Sequence, residues 1–343
     1  MALLTRGLPP LAVLLLLAPG GCRPAARAEE PPAAAFAYAA DHHMHLGSAD
    51  LCARLPAEEP CGKYRTPLSV LAEDVVRALD VAHVGKGMVF SAAYLYGMPD
   101  FKLTPDSVAY WMRRENEFTA AEVATAPDRL VGMMSVDPLA PAALAEIAHW
   151  KGSPVLRGLK LHLFANRVDV RDSASRRALG AVFQAAGDAG MPIVVHVGGA
   201  PFGAAEAGRF LREVLPRAGG RPVQVAHGAG GGLPTDGPRH VAVLRAFADQ
   251  IVAHAPGTDS LYFDLSFFVS KGEDPTAAAQ LVAEMRRIGV DRFLFASDFD
   301  VQTVAQAEAA VDSLGLSPAE RAVVARSCAP WVCGDQAARP RSD

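Results

Sequence analysis

The sequence predicts a single (β/α)8 TIM barrel, an α/β fold, behind an N-terminal export signal. Three observations point there. Short apolar runs alternate with longer amphipathic stretches eight times along the chain. The run Pro192-Ile193-Val194-Val195-His196-Val197 is apolar on both faces, as a parallel strand covered by helices must be. The chain has 343 residues, 50% hydrophobic and 20% charged, which is enough for one large barrel core. An open doubly wound sheet is the structural alternative.

Residues 1–28 read as an address rather than as part of the barrel. Arg6 precedes an apolar run from Leu8 to Ala18, and small residues follow, which is the plan of a bacterial export signal. Two cut sites compete. Ala26-Arg27-Ala28 suits ordinary signal peptidase, whereas Gly20-Gly21-Cys22 resembles a lipoprotein box in which Cys22 is lipidated, with Pro19 where that box has Leu. The expected location is the periplasm, either free or held to the membrane through Cys22. The Pro- and Ala-rich segment 29–36 reads as a tether, 37–335 as the barrel and 336–343 as a tail.

Within the barrel, strands are predicted over 37–45, 84–92, 130–136, 156–163, 192–198, 222–227, 260–267 and 292–298. Helices are predicted over 67–82, 105–126, 140–149, 173–189, 202–217, 238–254, 274–288, 302–313 and 317–328. Apart from Cys22, the cysteines form two sequence-local pairs, Cys52 with Cys61 and Cys328 with Cys333. Of the three possible pairings the local one is expected, in keeping with an oxidising compartment. No pair has the spacing of a zinc ribbon or a thioredoxin-like site.

Active sites of such barrels lie at the C-terminal ends of the strands, so polar residues there carry the information. Strand 1 ends Asp41-His42-His43-Met44-His45, and alternation puts His43 and His45 on one face with His42 on the other. Strand 5 ends in His196, strand 6 in His227 and strand 8 in Asp298, each after a run that is otherwise core. Any one of these is equally a satisfied core residue. A shared ion accounts for the whole set, because buried imidazoles and carboxylates are costly without partners. Strand 4 adds Lys160 and His162 on one face. Lys160 is read as a carbamylated bridge between two ions, as an electrostatic group beside one, or as a lysine paired with a carboxylate.

In this combination and order the chain resembles the amidohydrolase superfamily, nearest its amidohydrolase-related branch of small barrel hydrolases and decarboxylases. The resemblance runs from Asp41 to Asp298. It rests on Asp41-x-His43-x-His45, Gly158-x-Lys160-Leu161-His162, Pro192 to His196, Ala226-His227-Gly228 and Ser297-Asp298. It implies a divalent metal, usually zinc, as one or two ions, held by His43, His45, His196 and Asp298, with Lys160 as a further ligand in binuclear members. By the same analogy, His227 polarises the substrate or ligates a second ion, and Asp298 moves the proton.

The expected activity is a metal-dependent hydrolase that uses metal-activated water on a C–N or C–O bond of a small amide, lactone or ester. The alternative is a metal-dependent decarboxylase or hydratase of the same superfamily. His162 and Tyr94 are expected to bind substrate. Tyr94, Tyr96, Phe101, Tyr110 and Trp111 follow strand 2 as a candidate aromatic wall, while Arg157 and Arg167 flank strand 4 as candidate carboxylate binders.

The partner is expected to be a small molecule. A formal charge of −4 without a basic run argues against a nucleic-acid partner, membrane contact is expected only through the Cys22 anchor, and a homo-oligomer is compatible with the chain. Neither GxSxG nor HExxH occurs, so serine-hydrolase and zincin readings lack their signatures. The glycines 228 and 230–232 read as a flexible loop that lets substrate approach His227. His83, His149, His240 and His254 read as surface or capping residues.

Overall fold

A computed structural model describes residues 37–55, 69–231, 237–269 and 272–334. The export signal, Cys22, the tether, Cys61 and the tail at 336–343 lie outside the described residues. Among those described, no helix is long and apolar enough to cross a membrane.

Eight parallel strands form one sheet in the order of the chain: β1 Tyr38–Leu46, β2 Val84–Ser91, β3 Leu130–Ser135, β4 Leu156–His162, β5 Ile193–His196, β6 Val223–Val225, β7 Leu261–Asp264 and β8 Phe293–Leu294. The sheet returns on itself. Backbone bonds His42 N to Phe295 O (3.0 Å) and Asp298 N to His43 O (2.7 Å) join the end of β8 to β1. The TIM barrel is therefore the fold, with helices between successive strands.

The helices begin where the sequence supplies caps. Asp172 accepts from Ser175 N (2.6 Å) ahead of Ser173–Asp188, and Asp274 accepts from Ala277 N (2.9 Å) ahead of Pro275–Ile288. Thr104 caps Pro105–Ala124, whose first position carries the proline that only a helix start tolerates. Pro216 ends the predicted 202–217 helix early: the α-helix covers Ala204–Glu213, and a 3-10 turn covers Leu215–Ala218. The loop after β1 carries a short helix, Ala49–Cys52, and the loop after β2 carries 3-10 turns at Ala93–Gly97 and Pro99–Phe101. These turns have too few residues for a periodic signal.

Strand alternation sorts the side chains into two layers. Val89, Leu159, Leu161, Val195, Phe263 and Phe293 join the apolar layer between sheet and helices. Met88, Phe90, Val131, Met133, Val194, Tyr262 and Leu294 fill the barrel interior. That interior cluster also takes in Ala329 and Val332, so the segment around the short helix Pro330–Cys333 packs against the starts of the strands and floors the barrel. A Cys328–Cys333 disulfide closes this segment, with Cα atoms 6.0 Å apart. The site therefore lies at the opposite, C-terminal mouth.

Candidate active site

Register places the polar residues side by side. Lys160 pairs with Val194 and His162 with His196 across β4 and β5, so the two histidine rings meet with centroids 4.0 Å apart. His227 follows β6 by two residues and adopts a left-handed backbone (φ 55), and Asp298 beyond β8 does the same (φ 63). Such conformations are uncommon for residues with side chains and persist only where the surroundings hold them. They turn both side chains toward the barrel axis. A cavity of about 540 Å³ at this mouth is lined by His43, His45, Lys160, His162, His196, His227 and Asp298, together with Tyr94.

Three of these groups converge most tightly. One ligand atom each from His43, His227 and Asp298 lies within 4.8 Å of the other two, and all three residues are buried. Asp298 Oδ1 is 3.0 Å from His45 Nε2 and 3.3 Å from His43 Nε2. His196 stands beside the triad, its ring 4.6 Å from that of His227.

Burial works against the charge on Asp298. The neighbouring His43, His45 and His227 outweigh it and hold the carboxyl well below its usual range. Lys160 is fully buried, and its Nζ donates to His43 Nε2 at 3.2 Å and lies over the Phe90 ring. Burial pushes the ammonium down to about 8, opposed by Asp264 and Asp298. Asp41 accepts from His43 N and Ser297 N at 3.1 and 3.0 Å, which ties β1 to the end of β8. Burial pushes its carboxyl up to about 7.

A residue that sequence reasoning missed organises this cluster. Asp264, the last residue of β7, is fully buried and gives its two oxygens to different partners. Oδ2 accepts from His43 Nδ1 (3.0 Å) and Gln224 Nε2 (2.8 Å). Oδ1 accepts from His227 N (3.0 Å) and Ser266 Oγ (2.6 Å). His227 Nδ1 in turn lies 3.0 Å from Ser266 O and 2.9 Å from Ser266 Oγ. A carbonyl only accepts, so His227 carries its proton on Nδ1. His43 carries its own on Nδ1, facing the Asp264 carboxylate, so both rings keep an Nε2 lone pair. The only available signal was a carboxylate ending an apolar run, Leu261-Tyr262-Phe263-Asp264, like that at Asp298.

His42, by contrast, has both nitrogens engaged. Nδ1 donates to Phe295 O at 3.0 Å and Nε2 accepts from Ala329 N at 3.1 Å, so it braces the barrel wall and floor. His240 departs from the surface or capping expectation. It is buried, and its Nε2 donates to Gly228 O at 2.9 Å. The glycine segment 228–231 is packed rather than a flexible loop. A Cβ on Gly230 would meet His240 at 2.7 Å, and one on Gly198 would meet Gly230 O at 1.9 Å.

The wall of the cavity is largely apolar, with Leu51, Leu55, Leu95, Met98, Phe101 and Phe164, and it also carries Asp100 and Asp300. Tyr94 and Phe101 line it, Tyr96 and Trp111 stack at 5.8 Å, and Tyr110 is exposed. Arg157 is exposed, and Arg167 pairs with the lining residue Asp100 (3.3 Å); neither arginine lines the cavity itself. Among the described residues, the arginine that lines the cavity is Arg54, 4.3 Å above the Trp111 ring. Cys52 is buried and disulfide-bonded, while its expected partner Cys61 lies outside the described residues.

A family model described as amidohydrolase matches residues 40–329. The chain belongs to the amidohydrolase family. No curated protein matches it in sequence. Among solved structures it is similar to 2,6-dihydroxybenzoate decarboxylase from Rhizobium, at 15% identity and TM-score 0.57, over 84% of this chain and 96% of that one. It is similar to 5-carboxyvanillate decarboxylase from Novosphingobium aromaticivorans, complexed with manganese and 4-hydroxy-3-methoxy-5-nitrobenzoic acid, at 14%, 0.56, 84% and 94%. It is also similar to an amidohydrolase from Burkholderia multivorans with bound zinc, at 17%, 0.56, 84% and 96%. At these identities the likeness is one of fold.

Family membership makes the amidohydrolase an enzyme, and together with the His-His-Asp triad it supports a divalent metal. The donor chemistry fits such an ion. Two imidazole lone pairs and an ionised carboxylate converge, and each imidazole is oriented from behind by a hydrogen bond.

Proposed function

We propose that this amidohydrolase is a metal-dependent decarboxylase of a small aromatic carboxylate. One observation carries the reading. The cavity combines a histidine–carboxylate floor and a buried lysine with a largely apolar, partly aromatic wall that also carries Asp100, Asp300 and, among its described lining residues, a single arginine. That lining suits a flat apolar body bearing a negative charge and offers few partners to the polar chain of a peptide-like amide. The similar structures that act on 2,6-dihydroxybenzoate and 5-carboxyvanillate support the same substrate class.

His43, His227 and Asp298 would hold the ion, with His45 and His196 standing next to that set; zinc or manganese fits these donors. When bound, the ion supplies Lewis-acid stabilisation of negative charge on the substrate. The chain's own residues do the rest. Lys160, buried beside His43, favours an anionic substrate over a neutral one. Loss of carbon dioxide leaves a carbon that must receive a proton; Asp298, ionised at rest with its Oδ1 3.0 Å from His45 Nε2, would take that proton from water and pass it to the carbon, the net proton coming from solvent. The apolar wall excludes water from the same carbon.

The hydrolase reading remains as the second, because the same carboxylate can take a proton from water. The deciding experiment supplies the manganese- or zinc-loaded protein with 2,6-dihydroxybenzoate and 5-carboxyvanillate, and in parallel with aryl lactones, esters and amides. Release of carbon dioxide from the first set supports the proposal. Turnover of the second set alone replaces it with hydrolysis. The export signal, ending either at Ala28 or at a lipidated Cys22, belongs to this proposal as the setting of the enzyme; metabolic palmitate labelling that is lost in Cys22→Ala supports the anchor, and an unlabelled chain assigns the cut to Ala28.

A further inference from the structure

The histidines at the mouth differ in which nitrogen carries the proton, and that difference assigns them different roles. His162 Nδ1 lies 3.2 Å from the backbone nitrogen of Ala165. A backbone N–H only donates, so Nδ1 is the acceptor, and the proton of the ring sits on Nε2. The geometry behind this is fixed. Asn166 N bonds His162 O at 3.2 Å in the turn after β4, and Asn166 Nδ2 donates to Tyr94 O at 2.8 Å, so the Ala165 amide is held by two loops. Among the described residues no protein acceptor reaches His162 Nε2, and the ring lines the cavity between His196 and Tyr94.

His227 presents the opposite arrangement, a proton on Nδ1 facing Ser266 O and a lone pair on Nε2. In that state it can bind an ion or accept a proton but cannot donate to a substrate oxygen. We propose that His162, not His227, is the fixed hydrogen-bond donor that holds the substrate, through Nε2–H to an acceptor oxygen such as a carboxylate, phenolate or carbonyl. This deepens the decarboxylase reading by naming how its substrate is gripped, and it departs from the role the resemblance gives His227. It also removes His162 from any metal shell, because a protonated Nε2 has no lone pair to offer.

The test has two arms on the full mature chain. The first labels histidine with 15N and reads the tautomers with and without zinc, using His162→Leu to assign the signal. His162 is expected to show a protonated Nε2 and a bare Nδ1 in both states, with His227 reversed. A protonated Nδ1 on His162, or a zinc-dependent change at its Nε2, overturns the proposal whatever the substrate is.

The second arm measures binding of 2,6-dihydroxybenzoate to the zinc-loaded protein. His162→Leu is expected to weaken it by about 10-fold or more, and His162→Gln, which keeps a donor near Nε2, to restore most of the loss. Unchanged binding in His162→Leu overturns the donor role. If the wild-type chain does not bind this probe, the substrate class fails while the tautomers still decide the donor assignment.

Discussion

Replacing Asp264 by Asn tests the framework on which the metal reading rests. The carboxylate accepts from His43 Nδ1 and Gln224 Nε2 on one oxygen and from His227 N and Ser266 Oγ on the other. Asn is nearly isosteric but presents an NH2 group on one side. That group then faces two donors, or forces one of them to change. If it turns toward His43, the imidazole proton must move from Nδ1 to Nε2, and the lone pair beside Asp298 is lost. If it turns toward His227, Ser266 Oγ loses its acceptor and the relay to His227 Nδ1 is broken.

In the first case the His43 ring is held in the wrong tautomer; in the second His227 keeps its Nδ1 proton on Ser266 O, but its backbone N–H loses the acceptor that positions the ring. Loss of such an orienting partner weakens metal binding by about 10–100-fold, equivalent to about 1.4–2.7 kcal/mol. Leaving a buried donor without a partner costs a further ~1–3 kcal/mol of stability. The assay is zinc affinity by competition with a chromogenic chelator, alongside thermal melting of the metal-free form. A folded Asp264→Asn variant that binds zinc within about twofold of wild type would refute the tautomer reasoning.

Further outcomes follow from the same geometry. Metal content of the purified chain is expected near one ion, falling sharply in His43→Ala; a value near two would make Lys160 a bridging ligand. Asp298→Asn is expected to lower kcat by about 10²–10⁴-fold, read on whichever substrate turns over; retained activity would remove Asp298 from the proton path. Asp137, two residues past the end of β3, is buried, and burial pushes its carboxyl up to about 6. A raised acid favours the native state below the unfolded value, near 4, and loses that advantage as pH rises through 6. Asp137→Asn keeps an acceptor for Leu139 N and is therefore expected to gain about 1–3 kcal/mol at pH 8 and nothing near pH 4, measured by urea unfolding at both pH values. Reduction of Cys328–Cys333 is expected to cost about 2 kcal/mol, from the short loop it closes; a melt unchanged by reductant, with free thiols confirmed, would contradict this.

The sequence by itself determined the barrel and most of the cavity floor. Alternation in β1 put His43 and His45 on one face, and apolar runs ending in His196 and Asp298 marked strand ends. These are local signals, because a strand repeats every two residues whatever surrounds it. The tertiary structure decided the rest.

Asp264 orients His43 across 221 positions of chain, and no local pattern announces that contact. The proton positions of His162 and His227 depend on Ala165 N and Ser266 O, which are backbone atoms that any residue would supply. His227 enters the cavity through a left-handed turn after β6 rather than along the strand. Arg54 lines the wall with its guanidinium over the ring of Trp111, a residue far away in sequence. Residue types set which chemistry was available, while packing set which nitrogen faces the cavity, because tautomer and orientation belong to the partner a side chain meets and not to the residue itself.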